Sequence, residues 1–212
     1  MYGIIIHHSM NLKPNSIDKA KTIILKQGGI IRAQEAINLG IHPRTLYQLR
    51  DSGGLEQLSR GVYQLAGWRP LEYPDFIAVF KRVPNAVLCL ISALSFHEMT
   101  TQVPHAVSIA LEKGAEQPRI DYPPVMVYRF SPSCFHAGID TYILDGMPVK
   151  IYSPEKTLAD CFKFRNRIGM DVVLEALKRY QRRKHKDLHA LMHYAAVCRV
   201  ASVMKPYLEA TL

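Results

Sequence analysis

The segment that most constrains the fold is GIHPRTLYQLRDSGGLEQLSRGVYQL, residues 40–65. Pro43 suits the first turn of a helix, where its missing N–H leaves no hydrogen bond unmade, and the Gly-Gly pair that follows ends that helix. Two short apolar strands then flank Arg60-Gly61, and a two-residue link that ends in glycine is typical of a tight hairpin. The segment therefore predicts a helix followed by a two-stranded wing.

Two more helices are predicted upstream of this segment. Ser16 is a candidate N-cap for a helix that ends at Gly28, and a short extended stretch leads into a second helix that ends at Gly40. Three helices followed by a hairpin predict a winged helix-turn-helix domain over residues 17–67. Residues 1–16 remain a leader without an assigned role.

Residues 68–212 predict a mixed α/β domain that ends in a helical bundle, so the class of the whole chain is α+β. AGWRPLEYPD resembles a linker, whereas FIAVFKRVP and AVLCLISALSFHEMT resemble helices. Three stretches rich in β-branched and aromatic residues predict strands: AVSIAL, PVMVYRF and PVKIY. Ser153 caps the next predicted helix, and the last segment predicts one or two helices with a break before Pro206.

The net charge of +9 is concentrated at the two ends of the chain. Residues 1–67 sum to +4, residues 68–150 to −1 and residues 151–212 to +6. Basic ends favour a polyanionic partner, although a merely soluble basic protein is the alternative. No apolar run approaches roughly 18 residues, so no membrane span is expected. The four cysteines lack metal or disulfide spacing, which predicts buried reduced thiols and a cytoplasmic location.

The third predicted helix carries the candidate base-reading residues. At 100° per residue, Leu46 and Leu49 face inward, whereas Arg44 and Gln48 face outward with Tyr47 and Asp51. Arginine can hold guanine, and glutamine adenine, by two hydrogen bonds. The alternative is a protein-interaction module in which Arg44 and Arg50 are solvated surface charges. The predicted DNA-binding residues are Arg32, Arg44, Thr45, Tyr47, Gln48, Arg50 and Arg60.

Catalysis, metals and cofactors are not predicted. The paired aspartates of nucleotidyltransferases, a Gly-rich phosphate loop and a G-x-S-x-G sequence are all absent from the printed sequence. His185, His189 and His193 are spaced four apart, but Asp187 marks a helix start that leaves His185 outside. The basic run KRYQRRKHK favours a solvated helix end over a nucleic-acid site.

Several segments in the same order resemble the AbiEi antitoxins of abortive-infection toxin–antitoxin systems. They are GGIIRAQEAINLGIHPRTLYQLRDSGGLEQLSRGVYQL, SALSFHEMTTQVPHAVSIAL, SPEKTLADCFKFRNRIGMDVVLEAL and LMHYAAVCRVASVMKPYLEATL. The resemblance covers residues 17–212, and SPEKTLADCFKFRNRIG is its most specific part.

The resemblance implies a winged helix that binds inverted repeats in double-stranded DNA of its own promoter and represses transcription. It also implies that residues 68–212 counteract a nucleotidyltransferase-type toxin, without a necessary stable complex. The residues that match the family motif are Ser153, Glu155, Lys156, Asp160, Lys163 and Arg165. Of these, Lys156, Lys163 and Arg165 are the possible antitoxin surface, although capping and ion pairing along one helix is the favoured role of the set.

Two other functions remain open from the sequence. One is a winged-helix transcription regulator whose C-terminal domain senses a small ligand. The other is a nuclease-like enzyme. A toxin gene next door would favour the antitoxin, and metal-dependent cleavage of nucleic acid would favour the enzyme.

Overall fold

The structure, a computed structural model, describes residues 15–210 and divides into two compact units. The first unit comprises residues 15–57 and 63–68, and the second comprises residues 58–62 and 69–210. Helices accompany two separate sheets, which confirms the mixed α+β class. Of the predicted leader, residues 1–14 lie outside the described part of the chain.

The first unit contains three helices and most of a three-stranded sheet. Its elements are α1 (Ser16–Lys26), β1 (Ile30–Arg32), α2 (Ala33–Asn38), α3 (Pro43–Asp51), β2 (Leu55–Ser59) and β3 (Val62–Leu65). The strand order is β1-β3-β2, so the strand that precedes α2 completes the sheet of the hairpin. The end of the hairpin, residues 58–62, groups with the second unit.

The start of α1 differs from the prediction by one residue. Asn15, not Ser16, is the N-cap: its Oδ1 accepts hydrogen bonds from the backbone N–H of Ile17 at 2.7 Å and of Asp18 at 3.0 Å. Asparagine and serine cap helices about equally well, so the sequence alone does not choose between them.

The end of α1 is built by two glycines. Gly28 and Gly29 both take positive φ, and Gly29 N–H bonds back to the carbonyl of Ile24 at 3.0 Å. A Cβ on Gly29 would lie 2.5 Å from the Trp68 ring, whereas one on Gly28 would meet nothing within 4 Å. Gly29 is therefore required both by its backbone conformation and by the close approach of Trp68.

The second unit surrounds a five-stranded sheet with helices. Its elements are α4 (Pro74–Arg82), β4 (Val87–Leu88), α5 (Leu90–Phe96), β5 (Val107–Glu112), β6 (Val125–Phe130), α6 (Pro132–Phe135), β7 (Ile139–Leu144), β8 (Met147–Tyr152), α7 (Pro154–Lys163), α8 (Arg165–Ile168), α9 (Met170–Gln181), α10 (Leu188–Val197) and α11 (Ala201–Glu209). The order β6-β5-β4-β8-β7 places the two-residue strand β4 at the centre. It pairs antiparallel with β5 and parallel with β8.

Three sequence predictions in this unit are wrong in detail. The helix predicted for AVLCLISALSFHEMT begins only at Leu90, because Val87 and Leu88 form β4, where both are fully buried. The predicted linker ends early, since α4 starts at Pro74. The strand β7 was not predicted; it pairs with β8 from Ile139 opposite Tyr152 onward.

The last two helices break earlier than predicted. The chain turns between α10 and α11 at Arg199, whose φ is +60°, and Pro206 lies inside α11. Helix α7 packs against α5, α9 and α10 and carries the buried Leu158 and Phe162 into a shared apolar core. Within residues 15–210, no helix is both long and apolar enough to cross a membrane.

Candidate nucleic-acid interface

Helix α3 is fixed in orientation by its two buried leucines. Leu46 and Leu49 are each 1% exposed and belong to the core of the first unit. Full burial of a leucine side chain stabilises by about 1.5–3 kcal/mol, enough to set which face points to solvent. At the start of the helix, His42 Nδ1 accepts the backbone N–H of Arg44 at 3.2 Å, and Pro43 occupies the first turn as predicted.

The opposite face of α3 is polar and exposed. Arg44, Tyr47, Gln48 and Asp51 are all exposed, as the helical periodicity predicts, and Thr45 is half-buried beside them. Among the described residues, none pairs with the guanidinium of Arg44. Arg44 and Gln48, one turn apart, therefore present unused hydrogen-bonding groups to solvent on one face.

Arg50 is engaged within α3 itself. Its Nη2 lies 2.7 Å from Asp51 Oδ1, and its guanidinium carbon lies 5.0 Å from the centre of the Tyr47 ring. Hydrogen bonding to the Asp51 carboxylate raises the pKa of the Arg50 guanidinium. The Tyr47–Arg50–Asp51 cluster thus holds one positive and one negative charge, so the net positive charge of this face comes from Arg44.

Arg32 stands at the N-cap position of α2. Its backbone N–H donates to Glu35 Oε2 at 3.3 Å, and its side chain is half-buried. The structure therefore places Arg32 at the start of the second helix, as predicted, but on a different element from Arg44. A cation at a helix N-terminus works against the helix dipole, so Arg32 gains nothing from that position in the free protein.

Arg60 lies in the hairpin turn, as predicted, with a side chain 81% exposed. Gly61 takes positive φ, which lets the chain reverse in two residues. Arg60 Nη1 lies 3.5 Å from Asp121 Oδ2, and its backbone carbonyl accepts a hydrogen bond from Arg82 Nη1. All three residues belong to the second unit, so this turn is held by its own contacts there.

Lys156 is not part of any exposed surface, which corrects its assignment to a possible antitoxin surface. It is completely buried and its Nζ lies 2.6 Å from Asp160 Oδ2, one turn further along α7. The second oxygen of Asp160 accepts a hydrogen bond from Cys198 Sγ at 3.2 Å. Burial raises the pKa of Asp160, and Lys156 opposes that rise. Lys156 and Asp160 thus form an ion pair along one helix, which is the kind of role that the sequence favours for this set of residues.

Lys163 and Arg165, the other two residues of that set, are half-buried. Lys163 Nζ lies 3.5 Å from Cys134 Sγ, and Arg165 Nη1 donates to the Phe162 carbonyl at 2.9 Å. Burial alone would raise the pKa of the Cys134 thiol, but a hydrogen bond with Ser131 and the positive charge of Lys163 outweigh it, so the pKa is lowered. Lys163 and Arg165 therefore each make a contact within the second unit and keep only part of the side chain exposed.

Glu155 and Ser153, at the start of α7, have structural roles. Ser153 Oγ accepts the backbone N–H of Lys156 at 3.2 Å, as predicted for an N-cap. Glu155 Oε1 accepts the hydroxyl of Tyr180 at 2.9 Å, and the same hydroxyl accepts the N–H of Asp187, the N-cap of α10. These bonds tie α7, α9 and α10 together.

The basic run at the end of α9 is partly used inside the second unit. Arg179 Nε lies 2.9 Å from Glu175 Oε1, and Arg183 Nη1 donates to the His97 carbonyl at 2.7 Å. His185 lies before the N-cap Asp187, outside α10. Over residues 15–210, no three His, Cys, Asp or Glu side chains are grouped as metal ligands would be.

Part of the N-terminal sequence matches a known family of proteins. Residues 18–66 match the family model described as a transcriptional regulator, AbiEi antitoxin. The resemblance to AbiEi antitoxins that was drawn from the sequence is therefore confirmed for residues 18–66. The match spans less than half of the chain, so beyond residue 66 the resemblance stays a prediction.

The fold is similar to that of a protein whose crystal structure is known. The crystal structure of the RV2827C protein from Mycobacterium tuberculosis aligns with a TM-score of 0.54 and 13% identity, over 90% of this chain and 79% of that one. At that identity the likeness shows the fold alone. A search of the curated proteins gives no match.

Proposed function

We propose that this chain is an antitoxin that also represses its own promoter. The first unit would be a winged helix that binds double-stranded DNA at inverted repeats, and residues 68–212 would counteract a nucleotidyltransferase-type toxin in the cytoplasm. The observation that carries the proposal is the exposed Arg44–Gln48 face of α3 within a segment that matches AbiEi regulators.

In the proposed complex, α3 enters the major groove with its exposed face. Arg44 in the first turn holds a guanine edge and Gln48 an adenine edge, each pair contributing about 1–3 kcal/mol of discrimination. Thr45 and Tyr47 contact phosphates or a thymine methyl. These contacts select the sequence, whereas contacts with phosphate supply most of the salt-dependent affinity.

Three further arginines serve as phosphate or groove contacts in this proposal. Arg32 contacts the backbone at the start of α2, and Arg60 contacts phosphate or the minor groove from the hairpin turn. Arg50 is already paired with Asp51, so it can contact a phosphate only by breaking that ion pair or by sharing its guanidinium between the two anions. Its position beside Asp51 supports a smaller contribution than that of Arg44.

The antitoxin part of the proposal rests on the resemblance of residues 68–212 and needs no catalysis by this chain. The burial of Lys156 argues that the toxin, or its target, meets other groups of the second unit. Lys163 and Arg165 remain candidates, because both keep some exposure.

Two assays on the full-length protein test the proposal. A titration against its own promoter fragment and against random DNA of equal length should show stronger binding to the promoter. Co-expression with the product of the neighbouring gene should restore growth that this product alone prevents. Equal affinity for both DNAs would remove the repressor function, and failure to restore growth would remove the antitoxin function.

A further inference from the structure

The second unit contains a cavity to which neither the sequence nor the family match assigns a role. Its volume is about 340 Å³, within the range of small-molecule sites. Four separate segments line it: residues 72–76, positions 92 to 98 on and after α5, residues 104–107 and the pair Pro123-Pro124. All of them belong to the second unit.

One wall of the cavity is aromatic. The rings of Tyr73 and Phe76 stack at 5.5 Å with an interplanar angle of 12°, and Phe96 meets Tyr73 at 5.9 Å with a tilt of 58°. All three rings are half-buried, so each keeps part of its surface open. The face of an aromatic ring carries partial negative charge and attracts cations.

Three carboxylates share the same lining: Glu72, Asp75 and Glu98, all exposed. The lining contains no lysine or arginine, and in the described chain no cation lies within ion-pair distance of these carboxylates. Besides the three carboxylates and Tyr73, the only titratable side chain in the cavity lining is that of the exposed His105. The cavity lining thus carries negative charge beside an aromatic wall, whereas four cations, Lys178, Arg179, Arg182 and Arg183, line a neighbouring groove that Glu98 also borders.

The backbone of residues 72 and 73, which line the cavity, is held in place by hydrogen bonds within the second unit. Asp145 accepts the backbone N–H groups of both Glu72 and Tyr73, at 3.1 and 3.0 Å. Asp75 has a second role in the first turn of α4, where an acidic side chain stabilises the helix. Glu72 and Glu98 have no such role in a helix start, so they are the carboxylates to vary.

We propose that this cavity binds a small organic cation with a planar amidinium or guanidinium group. The flat cation would lie against the Tyr73–Phe76 rings and hydrogen-bond to the carboxylates of Glu72 and Glu98. Planar amidinium groups suit this combination because they stack on rings and donate two parallel hydrogen bonds to one carboxylate. Anions are repelled by the same carboxylates, and neutral analogues lose the charge-assisted bonds.

Benzamidine, benzamide and benzoate provide the test, since they share one shape and differ in charge. Calorimetric titration of the full-length protein should show benzamidine binding at millimolar concentration, benzamide at least about tenfold weaker, and no binding of benzoate. Amide chemical-shift changes should fall on the cavity residues. Equal affinity for benzamide, shift changes elsewhere, or no binding of benzamidine would each overturn the proposal.

Charge-removing variants locate the site. Glu72→Gln and Glu98→Gln keep side-chain size and should each weaken benzamidine binding about tenfold. Glu116→Gln removes a carboxylate that is also exposed but lies outside the cavity, and it should leave binding unchanged. Far-UV circular dichroism confirms that each variant folds. An equal loss in Glu116→Gln, or no loss in the two cavity variants, would show that the cation binds by general attraction. This assay involves no DNA or toxin, so its outcome is independent of the proposed function.

Discussion

Lys156 Nζ and Asp160 Oδ2 lie 2.6 Å apart, and both side chains are completely shielded from solvent. The rings of Tyr152 and Phe130 cover the ammonium at 4.0 and 5.0 Å from their centres. In the Lys156→Met variant, Asp160 is left without its counter-charge, so the free energy of unfolding should fall by about 3–5 kcal/mol. Urea unfolding monitored by circular dichroism measures the change.

An exposed pair with the same spacing supplies the control. Lys205 and Glu209 lie 3.9 Å apart with side chains more than 60% exposed, so Lys205→Met should change the free energy of unfolding by about 0.5 kcal/mol or less. The double variant Lys156→Met/Asp160→Leu removes both buried charges and should be more stable than Lys156→Met alone. Similar losses in Lys156→Met and Lys205→Met would refute the importance of burial.

The stability of the Lys156→Met variant should also depend on pH in a way that differs from that of the wild type. Burial raises the pKa of Asp160, and Lys156 normally opposes that rise. Without the lysine, the folded state holds the proton to higher pH than the unfolded state, where the pKa is near 3.8. The free energy of unfolding of Lys156→Met relative to wild type should therefore fall as the pH rises above 3.8, as urea titrations at several pH values would reveal.

His97 should make the wild-type protein sensitive to mild acid. Its ring is buried, with Nε2 at 2.7 Å from the Tyr152 carbonyl. Burial lowers the pKa of His97 below 6.5, although the bond to Tyr152 opposes this. Protonation is thus easier in the unfolded state, so stability is fully present above pH 6.5 and declines below it. His97→Gln should flatten this decline in thermal unfolding scans; an unchanged slope would assign the acid sensitivity to other groups.

Gly29→Ala should destabilise the first unit more than Gly28→Ala. Both glycines have positive φ, near +80°, which costs an alanine about 1–2 kcal/mol in each variant. Only at Gly29 would the new methyl also press on the Trp68 ring. Trp68 is the single tryptophan, so its fluorescence during urea unfolding reports on both variants. Equal midpoints would mean that the ring moves aside freely.

Arg44→Ala should weaken binding to the promoter far more than binding to random DNA. The loss on the promoter is expected to be about 1–3 kcal/mol, the contribution of one bidentate base contact. Gel-shift titrations on both DNAs measure it. Similar losses on the two DNAs would limit Arg44 to phosphate contact.

Arg32→Ala serves as the matched phosphate-contact variant. It should weaken binding to both DNAs about equally, and the slope of log affinity against log salt should fall by about one. A selective loss on the promoter would instead assign base reading to α2.

The elements with strong end signals were predictable. Pro43 and the following glycines bound α3, and Ser153 and Asp187 cap α7 and α10, because side-chain caps and proline act within a few residues of chain. The inward placement of Leu46 and Leu49 follows from helical periodicity alone. The exposed face of the candidate interface was therefore readable from the sequence.

Features that depend on distant partners were not predictable. Val87 and Leu88 form a buried central strand, and a short apolar run does not distinguish a buried strand from a helix. Lys156 resembled a surface lysine because its burial depends on rings supplied by β6 and β8. The break at Arg199 carries no glycine or proline signal. The cavity combines four segments spread over residues 72–124, none of which carries a motif.

The cavity bears on the choice between the two regulator hypotheses. If benzamidine binds there and also changes promoter affinity, the second unit senses a small cation, which favours the ligand-sensing alternative. If it binds without effect on DNA, the cavity and the first unit act separately. The promoter titration with and without benzamidine decides between these outcomes.

All four cysteines of the chain lie in one core cluster of the second unit, and the first unit has none. They are Cys89, Cys134, Cys161 and Cys198, each buried as a free thiol. A thiol reagent in excess can therefore modify Cys89 and Cys161, which are 0% exposed, only when that core opens. The rate of this reaction, followed by mass spectrometry, would report how often the core of the second unit opens. The first unit has no cysteine and would not contribute to the signal.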